Sequence, residues 1–157
     1  GVGRNGSAMR RVALLDVNVL VALFDPDHVH HELAHDWFAE HRADGWATCP
    51  ITENGFARVL SNPAYGRETL RPALLVTRLR KFRSSGHHVF WPASVSLADE
   101  SLFNLAVAAG HRQVTDVYLL GLAAAMKGCL ATFDRTIPLE AVVGATAASL
   151  QVIGPAD

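Results

Sequence analysis

Cysteine is scarce in this chain of 157 residues: Cys49 and Cys129 stand far apart, with no CxxC and no companion His spacing. That excludes a disulfide-stapled scaffold and a zinc finger, and it fits a reducing cytosol. Neither sign of charge dominates, with 14 Lys/Arg against 15 Asp/Glu, so net charge points to no class of partner. No apolar run approaches the ~20 residues that a membrane-spanning helix requires. Half of the residues are apolar and 18% are charged, which excludes disorder and low-complexity arrays. The length suits one domain. Gly1–Ala8 reads as a vector-derived extension ahead of a native start at Met9. Two decoys lie there. Gly1, Gly3 and Gly6 fit GxGxxG but precede the first strand, where a dinucleotide loop cannot work. Asn5-Gly6-Ser7 fits a glycosylation sequon, with nothing upstream to direct secretion.

From Met9 onward, strand and helix patterns alternate without a linker or a repeat. Strands are expected at Val12–Asp16, Trp46–Cys49, His88–Trp91, Cys129–Thr132 and Leu150–Ile153. Helices are expected at Asn18–Phe24, His30–Ala43, Thr52–Leu60, Thr69–Ser84 (with Pro72 in its first turn), Leu97–Ala109 and Thr115–Lys127. Short continuous apolar strands between helices mean an α/β fold with a mainly parallel sheet covered on both faces. In such sheets ligands gather at the carboxyl ends of the strands.

Acids recur at that edge. Asp16 closes the first strand, Glu53 opens the helix after the second, Asp116 opens the penultimate helix and Asp134 follows the fourth strand. Each has a plain structural explanation: a first-turn acid in the helix dipole beside a Thr cap, or a turn residue. Two features favour a joint role. Glu53 falls on the same side as Phe56, Ala57 and Leu60, and Asp116 opens a helix that is apolar nearly all round. Buried carboxylates need a cation, hydrogen bonds or a proton. The arginines cannot neutralise all four and leave a cleft. Oxygen-only donors favour Mg²⁺ or Mn²⁺ over zinc. A hard cation on carboxylates suits phosphodiester hydrolysis. The sequence does not separate the acid that holds the ion from the acid that takes a proton.

At LLDVNVLVAL, ITENGFARVL, TDVYLLGLAAA and LATFDR the chain resembles the four acidic motifs of PIN-domain ribonucleases, most closely the VapC-type toxins of toxin–antitoxin pairs. The resemblance runs from Met9 to Ile153 and makes 9–157 a single PIN-like domain. It implies a three-layer α/β/α sandwich and a Mg²⁺- or Mn²⁺-dependent endoribonuclease acting in the cytoplasm. It also implies a cognate VapB-type antitoxin and a homodimer. The family's catalytic and metal-binding acids map onto Asp16, Glu53, Asp116 and Asp134, and its small polar helpers onto Asn18, Thr115 and Thr132. A non-catalytic RNA- or partner-binding module of the same fold is the alternative. Four clustered carboxylates argue against it, because without a cation they repel RNA. A receiver domain would need paired acids after the first strand, and a haloacid-dehalogenase-type phosphatase a second Asp where Asn18 stands.

Half of the chain's Lys/Arg, namely Arg58, Arg67, Arg71, Arg78, Arg80, Lys81 and Arg83, fall between 58 and 83 beside one acid, Glu68. They are a candidate RNA footprint, although they spread around their helix. His28, His30, His31 and His35 cluster, and His31/His35 have metal-ligand spacing; they read instead as solvated or capping side chains beside Glu32 and Asp36. His28 has a further possible role toward phosphate or a proton. Val19, Leu20, Leu23, Trp37 and Phe38 supply more apolar surface than one small core is expected to absorb, hence a candidate antitoxin groove.

Overall fold

A computed structural model describes residues 10–66, 68–108 and 110–154. The 1–8 extension and Arg67 of the basic segment lie outside them. Five strands, β1 (Ala13–Leu15), β2 (Trp46–Thr48), β3 (His88–Phe90), β4 (Cys129–Thr132) and β5 (Leu150–Val152), form one sheet in the order β3-β2-β1-β4-β5. Every pairing is parallel. The three central strands are buried throughout, which is why they read as unbroken apolar runs.

Helices α1 (Val17–Phe24), α2 (His31–His41), α3 (Pro50–Leu60) and α4 (Pro72–Arg83) supply one apolar cluster, with Leu15, Trp46 and Ala131 from the sheet. Helix α5 (His111–Ala125) supplies the other, with Leu14, Ala47 and Leu130. The strand side chains alternate between these clusters, so the architecture is the expected α/β/α sandwich. Gly55 lets α3 cross α1 closely: a Cβ there would meet Val17 Cγ2 at 2.6 Å. Among the described residues no helix is long and apolar enough to cross a membrane.

The chain winds from β1 to β2 and β3 on one side, then returns to place β4 and β5 on the other. The direction of winding therefore reverses between β1 and β4. Their carboxyl ends flank a crevice of the kind where open α/β sheets bind ligands.

Three expectations are corrected. Leu97–Ala109 is not a helix where it is described (Ala109 lies outside the described residues); it forms turns and a short 3₁₀ segment, Leu105–Val107. Local bonds take the amides that a helix needs: Ser96 Oγ accepts from Ala98 N–H, Asp99 Oδ1 from Ser101, and Asn104 Oδ1 from Ala106. The helix that carries Asp116 begins at His111, after Gly110 at φ 121°, so Asp116 does not open it. Gln113 Nε2 anchors that first turn by donating to the Thr136 carbonyl at 3.0 Å. Finally, Val19, Leu20, Leu23, Trp37 and Phe38 are all buried in the core between α1, α2 and the sheet. They do not line an open groove.

Candidate active site

Asp16 is the first residue after β1 and caps α1: its Oδ1 accepts from Val17 N–H at 2.7 Å. Its other oxygen accepts from the Thr132 hydroxyl at 2.8 Å. Thr132 ends β4, and the same hydroxyl accepts from Asp134 N–H at 3.1 Å. The parallel register of β1 and β4 thus joins residues 116 positions apart in sequence. Asp134 Oδ1 accepts from the backbone and hydroxyl of Thr136, at 2.7 and 2.6 Å, which makes it a turn former as well. Asp116, in the second turn of α5, completes the group and feels the charges of both Asp16 and Asp134.

The electrostatics confirm that three charges crowd one place. Burial pushes the Asp116 carboxyl up to about 7, and the negative charges of Asp16 and Asp134 and the hydrogen bond to Asp134 push the same way. Asp16 is raised too, chiefly by burial; the bonds from Thr132 and Val17 oppose the rise and Asp134 adds to it. The second-turn position of Asp116 removes the first-turn dipole as its explanation.

Glu53 makes a different set of contacts. Its Oε2 accepts from the Thr48 hydroxyl at 2.6 Å and pairs with Arg83 Nη1 at 3.1 Å. It is not among the charges that shift Asp16 or Asp116. The reason is the strand alternation: Thr48 shares the face of Trp46, and so draws Glu53 toward α4, whereas Asp116 comes from α5 on the opposite face. Asn18 and Thr115 are exposed, Asn18 in the first turn of α1 and Thr115 immediately before Asp116.

Among the described residues no three His, Cys, Asp or Glu side chains are grouped tightly enough to hold an ion as they lie. The donor chemistry nevertheless fits a hard divalent cation. Three carboxylates lie within electrostatic reach of one another, and their mutual repulsion is what a cation relieves.

The histidine cluster is structural at two positions. His31 Nδ1–H donates to the Ala22 carbonyl at 2.7 Å and His35 Nε2–H to that of Leu23 at 2.8 Å. Those are end carbonyls of α1, which the helix leaves without partners. The capping reading therefore holds and the metal spacing is incidental. His28 and His30 instead lie against Phe133, between Thr132 and Asp134, with ring centroids 6.3 and 4.7 Å from it. His28 also borders a cleft of about 800 Å³ whose lining includes Asp25, Tyr65 and Arg78. Burial and the neighbouring His30 lower its basicity.

Of the basic segment, Arg58, Arg71, Arg78, Arg80 and Lys81 are exposed, while Arg83 is engaged by Glu53. The helix α4 turns Leu75 and Leu79 inward and leaves its charges on both flanks. Two residues that support Glu53 escaped the reading of the sequence. Thr48 and His88 looked like two more strand residues, at the ends of the second and third strands. His88 Nε2–H donates to the Thr48 hydroxyl at 2.8 Å, and burial, followed by the charge of Arg83, lowers its pKa to about 4. A polar residue at the end of an otherwise apolar buried strand was the available signal.

The sequence profile of the PIN domain matches residues 13–142. Ribonuclease VapC44 of Mycobacterium tuberculosis is 46% identical over 134 residues, covering 85% of this chain and 94% of that protein. Ribonuclease VapC39 of the same organism is 43% identical over 132 residues, covering 84% and 95%. Ribonuclease VapC38, also from that organism, is 42% identical over 130 residues, covering 80% and 87%.

Proposed function

The chain belongs to the PIN-domain family as a VapC-type ribonuclease, and from that premise we propose that it is a divalent-metal-dependent endoribonuclease, the toxin of a toxin–antitoxin pair, which arrests growth by cleaving cellular RNA in the cytoplasm. The observation that carries the proposal is the convergence of Asp16, Asp116 and Asp134 where the sheet reverses its winding.

These three aspartates would hold Mg²⁺ or Mn²⁺. When bound, such an ion supplies Lewis-acid neutralisation of the charge that develops on the cleaved phosphodiester. The rest falls to the chain. Thr132 orients Asp16 and, through Asp134 N–H, the loop that carries Asp134. Asp116, partly buried and raised to about 7 by burial and its acidic neighbours, is the candidate to exchange a proton with attacking water. Asn18 and Thr115, at the exposed rim, are placed to meet substrate. Glu53 supports the site from its pair with Arg83. The basic residues Arg58, Arg71, Arg78, Arg80, Lys81 and Arg83 would guide the RNA backbone, which supplies affinity more than sequence choice.

A VapB-type antitoxin and a homodimer are part of the same reading. Their support is the family membership and the relatives' names, since the apolar residues first assigned to a groove are core. The test uses purified protein and single-stranded RNA. Cleavage with Mg²⁺ or Mn²⁺, its loss in EDTA and its loss in Asp16→Asn prepared in parallel are expected. Equal cleavage by the variant, or undiminished cleavage in EDTA, refutes the proposal.

A further inference from the structure

The fourth acid of the sequence pattern is bound into a different device. Thr48 at the end of β2 donates to Glu53 and receives a hydrogen bond from His88. Glu53, so fixed, holds Nη1 of Arg83 at 3.1 Å. The guanidinium carbon of Arg83 lies 5.2 Å from the centre of the Phe90 ring. The carboxylate is thus fastened to the sheet on one side and fastens an arginine on the other.

What this bracket presents lies at the surface. Phe90 is 40% exposed, although neighbouring Phe82 packs against the core. The Arg83 side chain is 37% exposed, so part of its fork of donors remains toward solvent. β3 is an edge strand, and Phe90 pairs with Thr48. The registers of β1, β2 and β3 put the ring level with Leu15, the residue before Asp16. Two strand spacings, about 10 Å, separate the two backbones. An exposed ring with a planar cation over it, at the end of a strand in the sheet that also carries Asp16, matches a ligand with both a flat aromatic part and an adjacent anion. An unstacked nucleotide of single-stranded RNA has both. A merely solvated arginine would need neither the aromatic ring nor a carboxylate secured by a buried threonine.

We propose that Phe90 and Arg83 form a nucleotide subsite on the same carboxyl edge of the sheet as Asp16, the base stacking on the ring and its phosphate meeting the guanidinium, with Glu53 as the residue that positions Arg83. The proposal rests on the reading of the chain as an RNA-cleaving enzyme and adds where a nucleotide flanking the cleaved bond is held.

The probe is a fluorescein-labelled single-stranded RNA of mixed sequence, with binding followed by anisotropy at low salt with Ca²⁺ present to neutralise the aspartates and the RNA checked on a gel for intactness. Phe90→Leu should weaken binding about five- to a hundredfold, the usual range for losing one stacked base. Phe90→Tyr should restore it. Arg83→Gln should weaken binding and lower the salt slope by about 0.7, the value for one phosphate on a single strand. Val89→Ala, at a position on the same strand whose side chain is equally exposed but turned the other way, should bind as wild type. In multiple-turnover cleavage the loss in Phe90→Leu should fall on KM and leave kcat within a few-fold. Wild-type affinity in Phe90→Leu overturns the proposal, as does an equal loss in Val89→Ala, or no wild-type binding at all. An unchanged RNA affinity with weakened capture of a protein partner also overturns it, by assigning the patch to that partner. Failure of the nuclease reading would show separately, as wild-type protein that binds this RNA and does not cut it when Mn²⁺ is added.

Discussion

Removing one charge from the aspartate group should stabilise the metal-free protein, by an amount that depends on pH. Take Asp116→Asn, which keeps the side chain's shape and can still donate a hydrogen bond to Asp134. In the unfolded chain Asp116 titrates near 3.8; in the folded protein, near 7. Between those values the folded state holds a proton that the unfolded state has lost. Stability therefore falls as pH rises from about 4 to about 7, and the penalty is complete above that. At about 1.36 kcal/mol per unit, the shift sets an upper bound near 4 kcal/mol. The side chain is only partly buried, and solvent screening reduces that to roughly 1–2 kcal/mol. For a domain of this size that is a Tm gain of about 3–8 °C at pH 8. The assay is thermal unfolding in EDTA, wild type against variant, from pH 4 to pH 8. The Tm difference should grow with pH and reach its plateau above pH 7. Added Mn²⁺ should raise the wild-type Tm more than that of the variant. A difference that is independent of pH, or a variant that loses stability as pH rises, would refute the reasoning.

Asp16→Asn should fold and slow RNA cleavage on the order of a hundredfold or more at saturating Mn²⁺, measured in single turnover. Thr132→Val should disturb Asp16 and Asp134 together and cost cleavage while leaving the buried strand folded, since the lost hydroxyl serves both; circular dichroism with the cleavage assay checks it. Gly121→Ala should destabilise by about 1–3 kcal/mol in urea unfolding, because the added Cβ meets the Phe103 ring against α5. Arg78→Gln with Lys81→Gln should weaken RNA binding and flatten its salt dependence by about 0.7 per lost phosphate contact, without moving the cleavage position.

The strands were legible because β1, β2 and β4 are buried on both faces, and such strands carry short unbroken apolar runs. The three aspartates were legible as acids at strand ends, and the reversal of winding between β1 and β4 explains why that pattern marks one place. What failed was local. Leu97–Ala109 read as a helix, but Ser96, Asp99 and Asn104 take the amides for themselves. Thr115-Asp116 looked like a cap, while the polar turn His111-Arg112-Gln113 ahead of it belongs to α5. Glu53 was placed correctly on the inward side of its helix. Its partner is an arginine 30 residues away, a pairing that periodicity along one helix does not contain. The histidines at 31 and 35 were misleading in spacing alone, because the carbonyls they satisfy belong to another helix.

The central claim is that Asp16, Asp116 and Asp134 together hold a divalent ion, with Glu53 committed to Arg83. Mn²⁺ binding at pH 7.5, read from the loss of the free-ion paramagnetic resonance signal, tests it without RNA or turnover. Asp16→Asn and Asp116→Asn should each weaken Mn²⁺ binding about tenfold or more, while Glu53→Gln should stay within a few-fold of wild type. Wild-type Mn²⁺ affinity in both aspartate variants, or its loss in Glu53→Gln alone, would contradict the account.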